Sequence, residues 1–466
     1  MSLLVMKFGG TSVGNATAIA ALADITREQL SVWDRAVVVV SAMSGVTDQL
    51  IQGAQTAAAG DAERYKAIAA RLREKHAAAL MELVDTPDDA AATRAPIEQL
   101  LDEFELLCHS VHVLGEASPR ALDAISGLGE RISARLVAAT LRARGTPAEA
   151  VDATEIVVTT AHFGSAVPLQ PQTRDRAQAR LGPLLARSVV PVVTGFIGAT
   201  ESGASTTLGR GGSDYSGAIL GAALDADEVA IYTDVDGVMT TDPRLAPDAR
   251  VIPVVSYAEM GELAYFGAKV LHPRTIRPVV ERQIPLRIRN TFNPTHSGTL
   301  VVDQGEPGGR AIKAVTSIKG MSMITVEGRG MIGVPGVAAR TFGAVASVGA
   351  NVLMISQASS EQSICFVVPA ASTGAVAKAL EDALANELAR RDVDRIAARD
   401  SVVIVTAVGA GMRETPGVAS MVFGALAEQK INVIAIAQGS SECSISVVIA
   451  GGDADAAVRA IHALTI

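Results

Sequence analysis

The sequence predicts an α/β protein: an N-terminal αβα sandwich on a mostly parallel sheet, followed by two ferredoxin-like βαββαβ units. Three observations carry this prediction. Short apolar runs, LLVMKF (3–8), AVVVV (36–40), VVPVVT (189–194) and EVAIY (228–232), read as strands buried on both faces. Segments of helical periodicity separate those runs as far as about residue 303. Residues 321–368 then align with 402–449 at a constant offset of 81, with 22 of 48 positions identical. A unit of that size is a duplicated domain, too long for a solenoid repeat.

Bulk properties narrow the class. A chain of 466 residues is long enough for about three domains. With 49% hydrophobic and 19% charged residues it is globular, not disordered. A formal charge of −9 without a long basic run argues against a nucleic-acid partner. Three scattered cysteines, Cys108, Cys365 and Cys443, form neither a disulfide framework nor a metal pattern, so no metal ligands are assigned. No apolar run reaches the ~18 residues of a membrane span, and the start lacks a secretory leader. The expectation is a soluble, cytoplasmic protein without a membrane partner.

Taken in order, LLVMKF runs into Gly9-Gly10 and then a helix capped by Asn15 or Thr17. A strand end, a glycine pair and a helix start can turn backbone N–H groups toward phosphate. Lys7 stands there, as either a phosphate ligand or a snorkelling strand-end lysine. After the second strand, Ser41, Ser44 and Thr47 are simple caps or line the same crevice. Residues 60–115 are helical and show no chemistry. Ser118-Pro119 opens a helix expected to run unbroken to about Gly145. Within it Glu130 is an exposed acid paired with an arginine or a carboxylate aimed into a site.

Residues 206–214, TTLGRGGSD, concentrate glycines, hydroxyls, Arg210 and Asp214 immediately before a helix read as 215–226. Glycines admit close backbone approach, the guanidinium fork suits a carboxylate or phosphate, and Ser213 and Asp214 lie at a helix N-terminus. Alone, the stretch reads better as a glycine-rich surface loop with a helix cap. Asp234 and Asp236 after the 228–232 strand suit a ribose, a Mg²⁺-bound phosphate or a turn. Arg244 follows an Asp-Pro turn, and Lys269 precedes a helix bounded by Pro273. No Walker motif and no Cys-His or Ser-His pair is present. The inventory suits phosphoryl transfer, which depends on positioning and charge neutralisation.

KFGGTSVG, SGLGERISARL, TTLGRGGSDYS, YTDVDGVMTTDPR and FGAKVLHP, in this order, resemble the aspartate kinases of the amino-acid kinase superfamily across essentially the whole chain. The resemblance implies an amino-acid kinase fold over 1–303 and transfer of the ATP γ-phosphoryl group to the side chain of L-aspartate, with Mg²⁺. It implies that Lys7, Gly9 and Gly10 handle phosphate, and that Lys7, Asp214 and Arg210 are catalytic. Ser41, Thr47, Glu130, Phe196, Arg210, Ser213 and Asp214 would hold aspartate, Glu130 at its ammonium and Arg210 at its α-carboxylate. Thr233, Asp234, Met239, Arg244, Lys269 and Val270 would bind ATP. Met239 stands where some members carry tyrosine.

The duplicated part resembles two ACT domains, 315–398 and 399–466, with a charged helical stretch over 375–398 between the copies. Its wording, ISQASSE and AIAQGSSE, is similar to the regulatory part of threonine-sensitive aspartate kinase–homoserine dehydrogenases. That likeness implies an amino-acid effector, threonine ahead of lysine, at Ile355, Gln357, Ile436 and Gln438; the glutamines read equally as polar residues of a dimer interface. It also implies a homodimer or homotetramer through the ACT domains. The chain stops about where a dehydrogenase would begin, so that second activity is expected to be absent. Gly328, Gly330 and Gly333 spell a dinucleotide fingerprint that the sister copy does not keep, and no acid follows to grip a ribose. Dinucleotide binding is rejected there.

Overall fold

Successive residues of the first strand, buried on both faces, point into opposite layers of the N-terminal unit. A computed structural model describes residues 1–267, 271, 273–304, 310–331, 334–357, 362–413, 415–439 and 442–465. The chain divides into one unit of Met1–Val238, Val251–Tyr257 and Lys269–Gln304, and a second of Met239–Arg250, Ala258–Ala268 and Gly305–Ile466. In the first, β1 (Leu3–Phe8) is followed by α1 (Ala16–Gln29), whose cap is Asn15, accepting from the Ala18 N–H at 2.9 Å. β2 (Arg35–Val40) and α2 (Val46–Ala58) follow, then the long helices α3 (Ala62–Leu83) and α4 (Pro87–Leu114).

The helix expected to run unbroken from Pro119 is two, α5 (Pro119–Ser126) and α6 (Leu128–Ala143), joined at Gly127. The joint is a close approach: a Cβ on Gly127 would lie 2.6 Å from Ile197 Cγ2. β3 (Ala148–Val151), α7 (Gln170–Ala186), β4 (Val190–Thr194) and the small hairpin β5 (Ile197–Ala199) and β6 (Ser205–Thr207) come next. α8 (Gly212–Ala223) starts three residues earlier than expected, so Ser213 and Asp214 fall in its first turn. β7 (Glu228–Thr233), β8 (Val254–Ser256), α10 (Pro273–Arg282), β9 (Leu286–Asn290) and β10 (Thr299–Val302) complete this unit, while α9 (Tyr257–Tyr265) is assigned to the second from Ala258 on.

Eight strands form one sheet in the order β3-β4-β2-β1-β7-β9-β10-β8. The six from β3 to β9 are parallel, and β10 is antiparallel to β9. Leu4, Met6 and Phe8 of β1 enter the core that α1–α4 and α6 cover. Lys7, on the alternate face, meets α8 instead. With β1 in the middle, the C-terminal ends of β1, β2, β4 and β7 open side by side, the usual ligand crevice of such sheets.

The second unit holds a six-stranded antiparallel sheet. Its elements are β11 (Ala314–Glu327), α11 (Val337–Ser347), β12 (Met354–Gln357), β13 (Ser363–Pro369), α12 (Thr373–Ala383), α13 (Ala385–Arg390), β14 (Arg395–Val408), α14 (Val418–Glu428), β15 (Ala435–Gln438), β16 (Ser444–Ala450) and α15 (Ala454–His462). The order is β12-β13-β11-β14-β16-β15. Both long strands serve both copies. Met321–Glu327 of β11 pairs with β13, while Ala314–Ile318 pairs with Val408–Ile404 of β14, beside β16. The second copy therefore takes its remaining strand from Ala314–Ile318, at the head of the stretch expected to be the first ACT domain (315–398), and not from within 399–466.

The stretch 375–398 is helical only to Arg390; from Arg395 it is β14, paired to Glu327 and its neighbours. Gly328 and Gly330 of the fingerprint-like run press on the backbone of residues 391–394, with room for a Cβ at neither. Their small size serves packing; Gly333 lies outside the described residues. No helix among the described residues is long and apolar enough to cross a membrane.

Gly298, in the loop before β10, has φ +76° and the Ile288 carbonyl oxygen 2.0 Å from where a Cβ would sit. Gly298→Ala is expected to lower stability by about 1–3 kcal/mol through backbone strain, read as a reduced midpoint in urea unfolding.

Candidate active site

A cavity of about 630 Å³ opens at the C-terminal ends of the parallel strands. Its central cation is Lys7, the penultimate residue of β1, only 6% exposed. Lys7 Nζ is ion-paired with Asp214 Oδ1 in the first turn of α8. Three residues on, Gly217 lets the helix lie on the Lys7 stem, since a Cβ there would be 3.0 Å from Lys7 Cβ. Of the expected phosphate-handling glycines, Gly10 lines the cavity, whereas the Gly9 N–H is used by the Tyr232 carbonyl at 3.0 Å.

Glu130, in the first turn of α6, is not an exposed acid. It is 3% exposed; Oε1 accepts from the Ala42 N–H at 3.1 Å, and Oε2 is buried without a hydrogen-bond partner. Burial pushes its carboxyl up to about 8, against the opposing pull of the Ala42 hydrogen bond and the Lys7 charge. A buried, half-satisfied carboxyl facing a cavity fits a cationic group of a ligand.

Ser41, Ser44 and Thr47 line the cavity and do not cap α2. The capping position is Gly45, with φ +74° and no side-chain cap. Ser44 Oγ donates to the Gly10 carbonyl at 2.9 Å, and the Ser44 carbonyl accepts from Lys75 Nζ at 2.5 Å. The loop after β2 is thereby tied to the loop after β1.

Phe196 follows β4 in a left-handed conformation, φ +67°, at the centre of a three-residue turn in which the Ile197 N–H donates to the Gly195 carbonyl at 2.7 Å. Such turns are rare and strained. The surroundings hold it: the Phe196 N–H donates to Ser216 Oγ at 2.9 Å, and its carbonyl accepts from the Leu208 N–H at 2.9 Å. Ser213, Gly211, Gly212 and Arg210 complete that wall. Arg210 is exposed and has neither ion-pair nor hydrogen-bond partner among the described residues. A free guanidinium, a buried carboxyl and a lysine–aspartate pair thus face one volume, a set suited to an α-amino acid beside a phosphate.

The other expected nucleotide residues that the structure describes are not among those lining the cavity. Thr233 ends β7 and Asp234 follows it, with Thr233 Oγ1 donating to Asp234 at 3.2 Å. Asp236 is a loop brace, accepting from Asn290 at 2.8 Å and Asn293 at 3.1 Å. Met239 and Arg244 fall in the segment assigned to the second unit, where Arg244 pairs with Asp242 at 2.6 Å. Lys269 and Val270 lie outside the described residues.

In the second unit, Ile355 and Gln357 are exposed on β12, and Ile436 and Gln438 on β15, the two outermost strands. Their registers match, Ile355 opposite Phe366 and Ile436 opposite Val447.

Sequence reasoning missed Asp123 and Ser216, which also shape the first-unit cavity. Asp123 offered one signal, an acid within the short amphipathic helix before Glu130.

Residues 2–290 match the amino acid kinase family, and 324–384 and 405–464 match an ACT domain. The chain is 40% identical, over 98% of its length, to a bifunctional aspartokinase/homoserine dehydrogenase of Daucus carota, of which it covers 50%. It spans about half the length of the first several curated relatives it matches. It is 32% identical to the lysine-sensitive aspartokinase 3 of Escherichia coli, over 99% of this chain and 98% of that one. The crystal structure of E. coli aspartokinase III in complex with aspartate and ADP superposes with a TM-score of 0.81 at 30% identity, covering 99% of each chain. With the lysine, the glutamate and the glycine-rich loop converging at the strand ends of a family-matched fold, the chain belongs to the amino acid kinase family.

Proposed function

We propose that the protein is an aspartate kinase, transferring the γ-phosphoryl group of MgATP to the side-chain carboxylate of L-aspartate to give 4-aspartyl phosphate and ADP. The observation that carries this reading is the pairing of the buried Glu130 carboxyl with the unpaired Arg210 guanidinium across the cavity that holds Lys7. Glu130 takes the substrate ammonium and Arg210 its α-carboxylate, with Ser41, Thr47, Phe196 and Ser213 lining the position between. The β-carboxylate oxygen forms the new bond to phosphorus as the bond to the β–γ bridging oxygen breaks. Lys7 neutralises charge on the transferring group, and Asp214 orients Lys7. Gly9 and Gly10 shape the phosphate end. Thr233, Asp234, Met239, Arg244, Lys269 and Val270 serve the nucleotide, and Mg²⁺ enters with it. Kinship to the E. coli enzyme crystallised with aspartate and ADP supports the assignment.

Regulation is read at the ACT sheet. Ile355, Gln357, Ile436 and Gln438 present matching exposed pairs, and the relatives at about 40% identity are aspartokinase/homoserine dehydrogenases. Threonine is the proposed effector, with lysine second, bound where subunits of a homodimer or homotetramer meet.

Three outcomes are expected. Initial-rate assays should show aspartate-dependent ADP formation with no comparable rate on glutamate. Lys7→Ala should cut kcat by about 10²–10³-fold, the usual loss on removing one charge-stabilising group, while Arg210→Ala should chiefly raise KM for aspartate. Wild-type turnover in both variants would overturn the assignment.

Glu130 sets a pH dependence. In the empty cavity it is neutral below about pH 8, whereas the ammonium binds the anion, so binding releases a proton. KM for aspartate should therefore fall as pH rises toward 8, by up to about tenfold per unit, and then level. The same carboxyl, ordinarily near 4.5, binds more protons folded than unfolded between its two values, so stability of the empty protein falls as pH rises through that window. Glu130→Gln should remove both slopes, in steady-state kinetics and in Tm measured at pH 6 and 9.

Threonine added to the assay should inhibit by a coupling of about 1–3 kcal/mol, a 5- to 150-fold change in affinity. Gln357→Ala or Gln438→Ala should blunt it; inhibition by lysine alone would displace threonine as effector.

A further inference from the structure

Asp123 is buried at 3% exposure on α5, and among the described residues no cation is paired with it. Its carboxylate is instead saturated by neutral donors. Oδ2 accepts from the Gly164 N–H and the Thr207 N–H, both at 2.9 Å; Oδ1 accepts from Thr207 Oγ1 at 2.8 Å and the Gly164 N–H at 3.0 Å. Both donors lead to Arg210. Thr207 ends β6, three residues before it. The Gly164 carbonyl lies 3.0 Å from where a Cβ on Gly209 would sit, so Gly164 backs the residue next to Arg210.

On its own side, Asp123 is joined through Gly127 to Glu130. Gly127 presses on Ile197, and Ile197 is the register partner of Thr207 in the β5–β6 hairpin. The corner of α5 and α6 therefore grips that hairpin at two points, one polar and one steric. Leaving a buried anion uncompensated by a cation is a poor way to gain stability alone. Three dipolar donors in fixed directions define a position instead.

We propose that Asp123 is the positioning residue that fixes Arg210 relative to Glu130, and so sets the length of amino acid the cavity accepts. This rests on the aspartate kinase reading for the identity of the substrate. An ammonium at Glu130 and an α-carboxylate at Arg210 leave a defined reach for the side-chain carboxylate toward Lys7. A shift of an ångström in such an arrangement costs about 10²-fold in rate, and one methylene is discriminated about 10- to 200-fold.

The experiment compares wild type with Asp123→Asn and, as a milder variant that keeps the backbone donors, Thr207→Val. Asp123→Asn is expected to raise KM for aspartate about tenfold or more while KM for MgATP stays within about twofold, and to narrow the preference for aspartate over glutamate. Thr207→Val should do the same to a smaller extent. Combined with Arg210→Ala, Asp123→Asn should add little, because both act through one contact. An unchanged KM for aspartate in both variants, equal rises in both KM values, or additivity with Arg210→Ala would overturn the inference. Amide hydrogen exchange supplies a readout independent of substrate. Faster exchange confined to residues 160–166 and 205–212 in Asp123→Asn supports it even if wild type proves inactive on aspartate, which would sink the functional assignment alone. Unchanged or molecule-wide exchange overturns it.

Discussion

An ammonium buried at the end of a central strand has to be neutralised nearby, and the Lys7–Asp214 ion pair does this across β1 and α8. Desolvating both charges is unfavourable unless the geometry holds, so α8 has to begin where it does. Gly217 then becomes a packing requirement. The segment feeding α8, from Thr206 to Ser213, is delivered to the cavity because its far end is anchored to Lys7. The arrangement of the site follows from the position of one strand residue.

Other features of the cavity run against stability. Glu130 keeps one buried oxygen unpartnered, and Phe196 holds a left-handed turn that costs a bulky residue about 1–3 kcal/mol. Ser216 and Leu208 keep Phe196 in place, and Ala42 supplies half of what Glu130 needs. A ligand bearing an ammonium would satisfy the remainder. The cavity thus carries an unmet polar demand that its own residues leave open.

The sheet and its crevice were legible in the sequence because fully buried parallel strands leave unbroken apolar runs, as in LLVMKF and AVVVV. Lys7, Glu130 and Arg210 were legible because each is a charge in a setting that would otherwise be apolar or glycine-rich. The α5–α6 break was not, since Gly127 has an ordinary helical φ and is marked only by its distance to Ile197. Asp123 escaped for the same reason: its partners, at 164 and 207, are remote in sequence. The start of β14 at Arg395 was hidden because its helical-looking charges sit on a strand whose pairing is supplied by β11, about seventy residues earlier.

The sharing of β11 and β14 has a consequence for how the chain acquires its shape. The duplicated sequence is not a duplicated folding unit, because Ala314–Ile318 can complete the sheet only after β14 has been made. Closing that contact spans most of the repeat pair, and long-range strand pairing of this kind is slow and leaves edges open meanwhile. Neither copy could be excised without taking a strand from its sister. The pair is one cooperative body, interlaced at its two central strands, and it would melt as one.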